Sequence, residues 1–456
     1  MEGTVLEKLE KKNEFKILIT LSFPIIMSML VQGLYSLVDG VFISYLGDEA
    51  LSAISLSFVY VNLFNAVFTG LATGINAVIS KEIGAQKIRE AKTAVLSGVA
   101  IQTAVSVIAV ISSVLLINFY FEKSTTNEIV RQLGSDYLTI IMCFSFLSCA
   151  QQTLERILQS SGLSKLMIFS QVTGTVVNSI LDPILIFGLG SIPAVGIKGA
   201  AWATVIGQLC ATLVALFLNL KKNRVLFDGL FKEAKVSLRK IREIFWIGLP
   251  AASVGIAASI GNYYINIILI RYISTANAAF GVYTKLQSVA LIPTQGFGAG
   301  LLTQFSYFYG QRNWKRIRKS LIAGATLCEI WGLFCFTCFF FFPTLLMKPF
   351  NMSEQMIEIG IPCFRIIGLT YLFSCFMLVL NSFFQANGQG LFTFIISVSR
   401  QLLVRIPVAS FLTTFGSIEI IWWCWPISEV ISDTITATFF IIGYKKLKAK
   451  LVGEEK

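Results

Sequence analysis

Two short stretches carry the side chains best suited to holding a small cation. Asp39 sits inside the apolar run LYSLVDGVFISYLG, and VVNSILDPILIF places Asp182 four residues after Asn178, with Pro183 directly behind it. Four residues is about one helical turn, so Asn178 and Asp182 share a face. Pro183 lacks a backbone N–H, which leaves a carbonyl of the preceding turn without its helical donor. Two carboxylates, an amide oxygen and such a carbonyl form a hard-oxygen set of the kind Na⁺ takes. The same carboxylates, crowded in a low-dielectric interior, would share a proton instead. In a third reading each merely hydrogen-bonds backbone at a kink, and the residues alone leave all three open.

Farther along, Arg400 and Arg405 in one apolar run and Glu429 and Asp433 in the next stand at depths where they can pair. A structural ion-pair network is the favoured reading, with a substrate or coupling role as the alternative. Glu329 and Lys285 are isolated charges with no assigned partner. The nine cysteines lie almost wholly inside apolar runs and read as small membrane apolars. Cys335-x-x-Cys338 sits in CFTCFFFFP with no basic group to favour a thiolate. The chain has no histidine, which excludes His-based metal sites and Ser-His or Cys-His catalysis. No HExxH, DDxxD or GxSxG motif occurs either, so the expectation is a protein that is not an enzyme and carries no cofactor.

The elements that hold these residues are set by composition. Apolar residues make up 55% of the 456, charged residues only 14%, and mean hydropathy is +0.74. Apolar runs broken by charges, Gly and Pro give twelve transmembrane helices near 16–43, 51–79, 93–119, 134–161, 164–189, 195–219, 240–271, 276–308, 320–346, 356–386, 390–414 and 418–443. The fold class expected is an all-α integral membrane protein. Its amino-terminal segment MEGTVLEKLEKKNEF lacks the n-region, h-region and cleavage site of a signal peptide, so the first helix is expected to be retained. With the amino terminus inside, 27 of the 37 basic residues fall on cytoplasmic connections or termini. This asymmetry predicts a multi-pass protein of the cell membrane with both termini cytoplasmic, and it assigns the net charge of +12 to the membrane rather than to nucleic acid.

Sliding the sequence on itself by 226 residues aligns Pro24 with Pro250, Gly70 with Gly296, Gly74 with Gly300, Gly98 with Gly324 and Gly162 with Gly388. The expected organisation is a six-helix amino-terminal lobe over 1–219, a basic cytoplasmic linker over 220–239, and a six-helix carboxyl-terminal lobe with a cytoplasmic tail over 240–456. A repeat of six keeps its orientation, which is the parallel two-bundle plan of alternating-access transporters; a passive channel fits that plan poorly. The acidic pair is not repeated, since Ile265 stands opposite Asp39 and Ile406 opposite Asp182.

With Pro24, VDGVFISYLG, LQSSG at 158–162, NSILDP at 178–183 and GIKGAAWAT at 196–204, nearly the whole chain resembles the MATE (multidrug and toxin extrusion) transporters, in the bacterial branches close to DinF and MepA. The resemblance implies a cation site in the first lobe built from Asp39, Asn178, Asp182 and Thr204, with Pro24 as a bending point of the first helix. It also implies export of organic cations and amphipathic drugs in exchange for Na⁺ or H⁺, by a monomer among membrane lipids. The sequence departs from the NorM-like branch, because GIAASIGNYYIN and LTYLFSCFMLVLNSFFQANG hold no acidic residue. Met27, Gln32, Tyr35, Tyr283 and Gln287 are candidate drug contacts, since soft and aromatic groups suit varied flat cations. A flippase for lipid-linked oligosaccharide or cell-wall precursors is the alternative; Arg400 and Arg405 would serve its pyrophosphate if they faced the cavity.

Overall fold

The computed structural model describes residues 11–190, 193–272, 274–350 and 353–453; the side chains at 34–41, 43, 44, 271–275, 278, 445–447 and 449–453 lie outside that description. Long apolar sequence can meet lipid only if its own backbone groups bond one another, which selects helices. In order these are α1 (Glu14–Ser44), α2 (Asp48–Gly84), α3 (Ile88–Ser124), α4 (Glu128–Cys143), α5 (Ser145–Ser160), α6 (Met167–Phe187) and α7 (Ile197–Lys222). Then follow α8 (Leu238–Tyr272), α9 (Ser274–Ala290), α10 (Ile292–Gly310), α11 (Trp314–Phe341), α12 (Glu354–Gly368), α13 (Tyr371–Ala386), α14 (Gly390–Val398), α15 (Arg405–Leu412) and α16 (Cys424–Gly453). Asn127, Asn313 and Ser353 cap α4, α11 and α12 by accepting from backbone N–H groups one turn in.

The chain is an all-α multi-pass membrane protein. Among the described residues eight helices or continuous helical stretches are long and apolar enough to cross a membrane, and ten if α4 with α5 and α12 with α13 are each one bent span. The bends, 44° and 46°, fall at Phe144 and at Leu369–Thr370. α6 is not among the ten; Gln171, Asn178, Asp182 and Pro183 dilute its apolar run.

Two compact units form, one from Phe23 to Ala252, the other from Lys12 to Ser22 together with the chain from Ser253 onward. The divisions fall inside α1 and α8, beside Pro24 and Pro250, and not within 220–239. Glycines explain both exchanges. In the first unit a Cβ on Gly74 of α2 would stand 3.1 Å from the backbone N of Gly248 on α8, and one on Gly70 would meet Ala252. In the second unit a Cβ on Gly300 of α10 would stand 3.3 Å from the backbone N of Ser22 on α1. Only glycine lets backbones approach this closely.

Ion pairs fasten the same two helix starts. In the first unit Lys240, at the start of α8 and 5% exposed side chain, lies 2.7 Å from Glu82, 3.3 Å from Glu90 and 3.7 Å from Glu243. Lys81 also pairs with Glu243, and Lys92 holds Glu233 at 2.7 Å. In the second unit Arg316 donates to Glu14 at 2.9 Å and to the Lys12 carbonyl at 2.8 Å. Glu14 stands 226 residues before Lys240, and Glu90 the same distance before Arg316, so matching positions carry opposite charges.

Candidate functional site

Asn178 and Asp182 stand one turn apart on α6, and Asn178 packs against the small-residue face of α7. A Cβ on Gly207 of α7 would lie 2.8 Å from the Gly174 carbonyl and 3.0 Å from Asn178 Cβ, and Gly199 approaches the Leu185 carbonyl more closely still. This close seam brings Thr204 of α7 against α6, where Asn178 Nδ2 donates to Thr204 Oγ1 at 3.3 Å; Thr204 in turn donates to the Ala200 carbonyl at 3.0 Å. Asp182 is 0% exposed, and Asn178 Oδ1 is buried with no hydrogen-bond donor. A fully buried carboxylate beside an amide oxygen that lacks a donor is an oxygen-rich, acidic setting, able to attract a small cation or keep a proton. Asp39 and Tyr35 lie on α1 but outside the described side chains. Pro24 is buried inside α1, where Ser28 Oγ donates to its carbonyl at 3.0 Å.

The candidate drug contacts separate. Met27 is 36% exposed and Gln32 is exposed, both on α1. Tyr283 of α9 is 0% exposed; it stacks on Phe280 and meets Phe339 and Phe364 edge-on, inside the aromatic core of the second unit. Gln287 donates to its hydroxyl at 3.2 Å, so the pair satisfies itself. Lys285 and Glu329 are on α9 and α11.

The carboxyl-terminal charges meet through an irregular turn. Pro407 cannot donate to the carbonyl four residues back, and the chain before it widens into a π-helical segment over Ser399–Val404. In a regular helix residues five apart point well away from each other; the wider turn brings Arg400 and Arg405 onto one side. Arg400 lies 3.4 Å and Arg405 3.5 Å from Glu429 of α16. Arg405 also donates to Ser428 and Gln401 and stacks on Trp425. Asp433 is one turn farther along α16 and is in neither pair.

Glu155, like Glu14 and Glu82, is a buried carboxylate that the sequence pattern does not single out. Glu155 on α5 is 5% exposed and accepts from Ser170 at 2.9 Å, Gln151 at 3.0 Å and Gln171 at 3.1 Å, tying α5 to α6. The available signal was Gln151 four residues before Glu155 on the same face.

Comparison with known proteins adds the lineage of this arrangement. The family model described as MatE matches residues 24–184 and again 250–411. The chain is 24% identical to the probable multidrug resistance protein YoeA of Bacillus subtilis, over 98% of this chain and 97% of that one. It is 26% identical to a protein of Shewanella oneidensis called an FAD transporter, over 87% of each. An outward-facing structure of a multidrug resistance MATE family transporter of the MOP superfamily superposes with a TM-score of 0.90 at 22% identity, covering 98% of this chain and 99% of the other.

Proposed function

The chain belongs to the MatE family of secondary transporters, and from there we propose that it is a multidrug antiporter exporting organic cations and amphipathic drugs in exchange for Na⁺ or H⁺. The observation that carries this reading is the fully buried Asp182 of α6, one turn from Asn178, whose amide donates to Thr204 of α7; an ionisable group buried inside a multi-pass membrane protein is costly unless it has work to do. Asp39 completes the coupling site in this reading. A cation and a cationic drug compete for the same carboxylates, so ion entry from outside favours drug release there. Exchange follows from that competition, provided the site is exposed to one side at a time.

Twelve spans in two six-helix halves, with both termini cytoplasmic, is the architecture proposed with it. Its support is the double family match, whose two segments begin 226 residues apart at Pro24 and Pro250, and the glycine contacts and bent spans that recur at the same separation. The flippase alternative needed a basic cavity for pyrophosphate, but Arg400 and Arg405 are both matched to Glu429.

The test is ethidium efflux from reconstituted vesicles under an imposed Na⁺ or pH gradient, with FAD as a second cargo because one relative carries that name. Gradient-driven ethidium efflux is expected from the wild type, with loss in Asp182→Asn and Asp39→Asn while both remain folded. Normal coupled efflux by both variants sinks the proposal. No ethidium efflux from the wild type under either gradient refutes the drug-export reading.

A further inference from the structure

The connection from α7 to α8 is pinned to the first unit along one edge and leaves its other edge open. Two single-turn helices, Arg224–Phe227 and Leu230–Glu233, lie on it. Leu226, Leu230 and Ala234, spaced four apart, are buried. Lys92 of α3 holds the Glu233 carboxylate at 2.7 Å, Arg89 donates to the Glu233 carbonyl at 3.0 Å, and the Ser237 N–H donates to Ser97 at 3.0 Å. What remains outside is both apolar and basic. Phe231 is 84% and Leu238 83% exposed, more than any other large apolar side chain among the described residues. Arg224, Lys232, Lys235 and Arg239 are exposed on the same stretch, and among the described residues none of the four stands within ion-pair distance of a carboxylate. Other basic side chains of this unit are engaged: Lys81, Lys92 and Lys240 hold Glu243, Glu233 and Glu82.

Position decides what the open edge meets. Ile197–Lys222 and Leu238–Ile270 are both candidate membrane spans, so the short chain joining them starts and ends at the level of the lipid headgroups. In water Phe231 and Leu238 keep the full cost of apolar hydration, which the boundary between headgroups and acyl chains removes. Unpaired lysine and arginine at that level find their counter-charge in anionic lipid phosphates. We propose that this edge docks on the anionic phospholipids of the adjoining leaflet, with Phe231 and Leu238 entering the headgroup–acyl boundary and Lys232, Lys235 and Arg239 pairing with lipid phosphates. A lipid is the occupant because the edge asks for both chemistries at once, and a free phosphate offers charge without an apolar phase. The docked edge sets the level in the bilayer at which α7 ends and α8 begins. None of this depends on the cargo or on the coupling ion.

The experiment is amide hydrogen exchange of the full chain in nanodiscs, read on peptides covering 224–239, in phosphatidylcholine alone and in phosphatidylcholine with phosphatidylglycerol. Exchange in the wild-type segment should be at least about threefold slower with phosphatidylglycerol, and high salt should remove most of the difference. Lys232→Gln/Lys235→Gln/Arg239→Gln should lose the slowing; since the bilayer charge is the same, this also separates docking from a change in surface pH. Phe231→Ser/Leu238→Ser should lose it as well, with every basic group in place. All five side chains are exposed, and unchanged exchange over α5 checks that each variant is folded. Inorganic phosphate added to phosphatidylcholine discs should leave the segment unaltered. The inference is overturned if the wild-type segment exchanges equally in the two bilayers, if either folded variant keeps the slowing, or if inorganic phosphate alone reproduces it.

Discussion

Glu429→Gln separates a structural from a coupling role for the charges of the second unit. The carboxylate lies 3.4 Å from Arg400 and 3.5 Å from Arg405, with 6% of its side chain exposed. Removing its charge while keeping its shape strands two guanidiniums. Breaking a buried pair costs about 3–5 kcal/mol; the lower figure, about 3 kcal/mol, applies because Arg400 is 18% exposed and keeps part of its hydration. Unfolding entropy is about 2.1 cal/mol/K per residue. If the second unit of roughly 215 residues melts by itself, the midpoint should fall by about 7 °C; if the whole chain melts together, by about 3 °C. The assay is a thermal melt with a thiol-reactive dye, for which the nine free cysteines are built-in reporters. Exposed Glu358→Gln serves as control. In Arg405→Met/Glu429→Leu, where no partner is stranded, the loss should be smaller than the sum of the single losses. A Glu429→Gln melt within about 1 °C of the control, combined with lost gradient-driven efflux, would refute the structural account and make the cluster part of coupling.

At the start of α8, Lys240→Met should cost about 2–3 kcal/mol because it leaves the buried Glu82 with only the longer 3.8 Å contact to Lys81, and the melt should show it. Exchanging the opposite pair, Glu14→Arg with Arg316→Glu, should recover stability lost in either single reversal; no recovery would mean that the 2.9 Å contact does not hold α1 in the second unit. Gly207→Ala should cost about 1–3 kcal/mol, since its Cβ would press on the Gly174 carbonyl and on Asn178. Thr204→Val removes the acceptor of the Asn178 amide and should weaken coupling-ion dependence about fivefold, equivalent to about 1 kcal/mol, with little change in the melt. An unaltered ion dependence would place Thr204 outside the coupling site.

Much of this protein was legible in its sequence because lipid leaves a chain few options. The long apolar runs require helices, since no water is present to receive unpaired backbone groups. Pro24 and Pro250, Gly74 and Gly300 declared a repeat through their spacing, because close backbone approach tolerates no side chain there. Asn178 and Asp182 could be placed on one face by counting a single turn. Tertiary structure decided what depends on which surfaces meet. Only packing shows that the start of α1 belongs with the second unit and the first half of α8 with the first, a division that leaves no mark in composition because both helices are continuous. Tyr283 carries the chemistry of a binding residue, yet its neighbours enclose it in an aromatic core. Arg400 and Arg405 converge on Glu429 through a turn that Pro407 widens, which regular helical periodicity could not foresee. Glu329 and Asp433, on helices distant in sequence, line one pocket only because α11, α13 and α16 pack together.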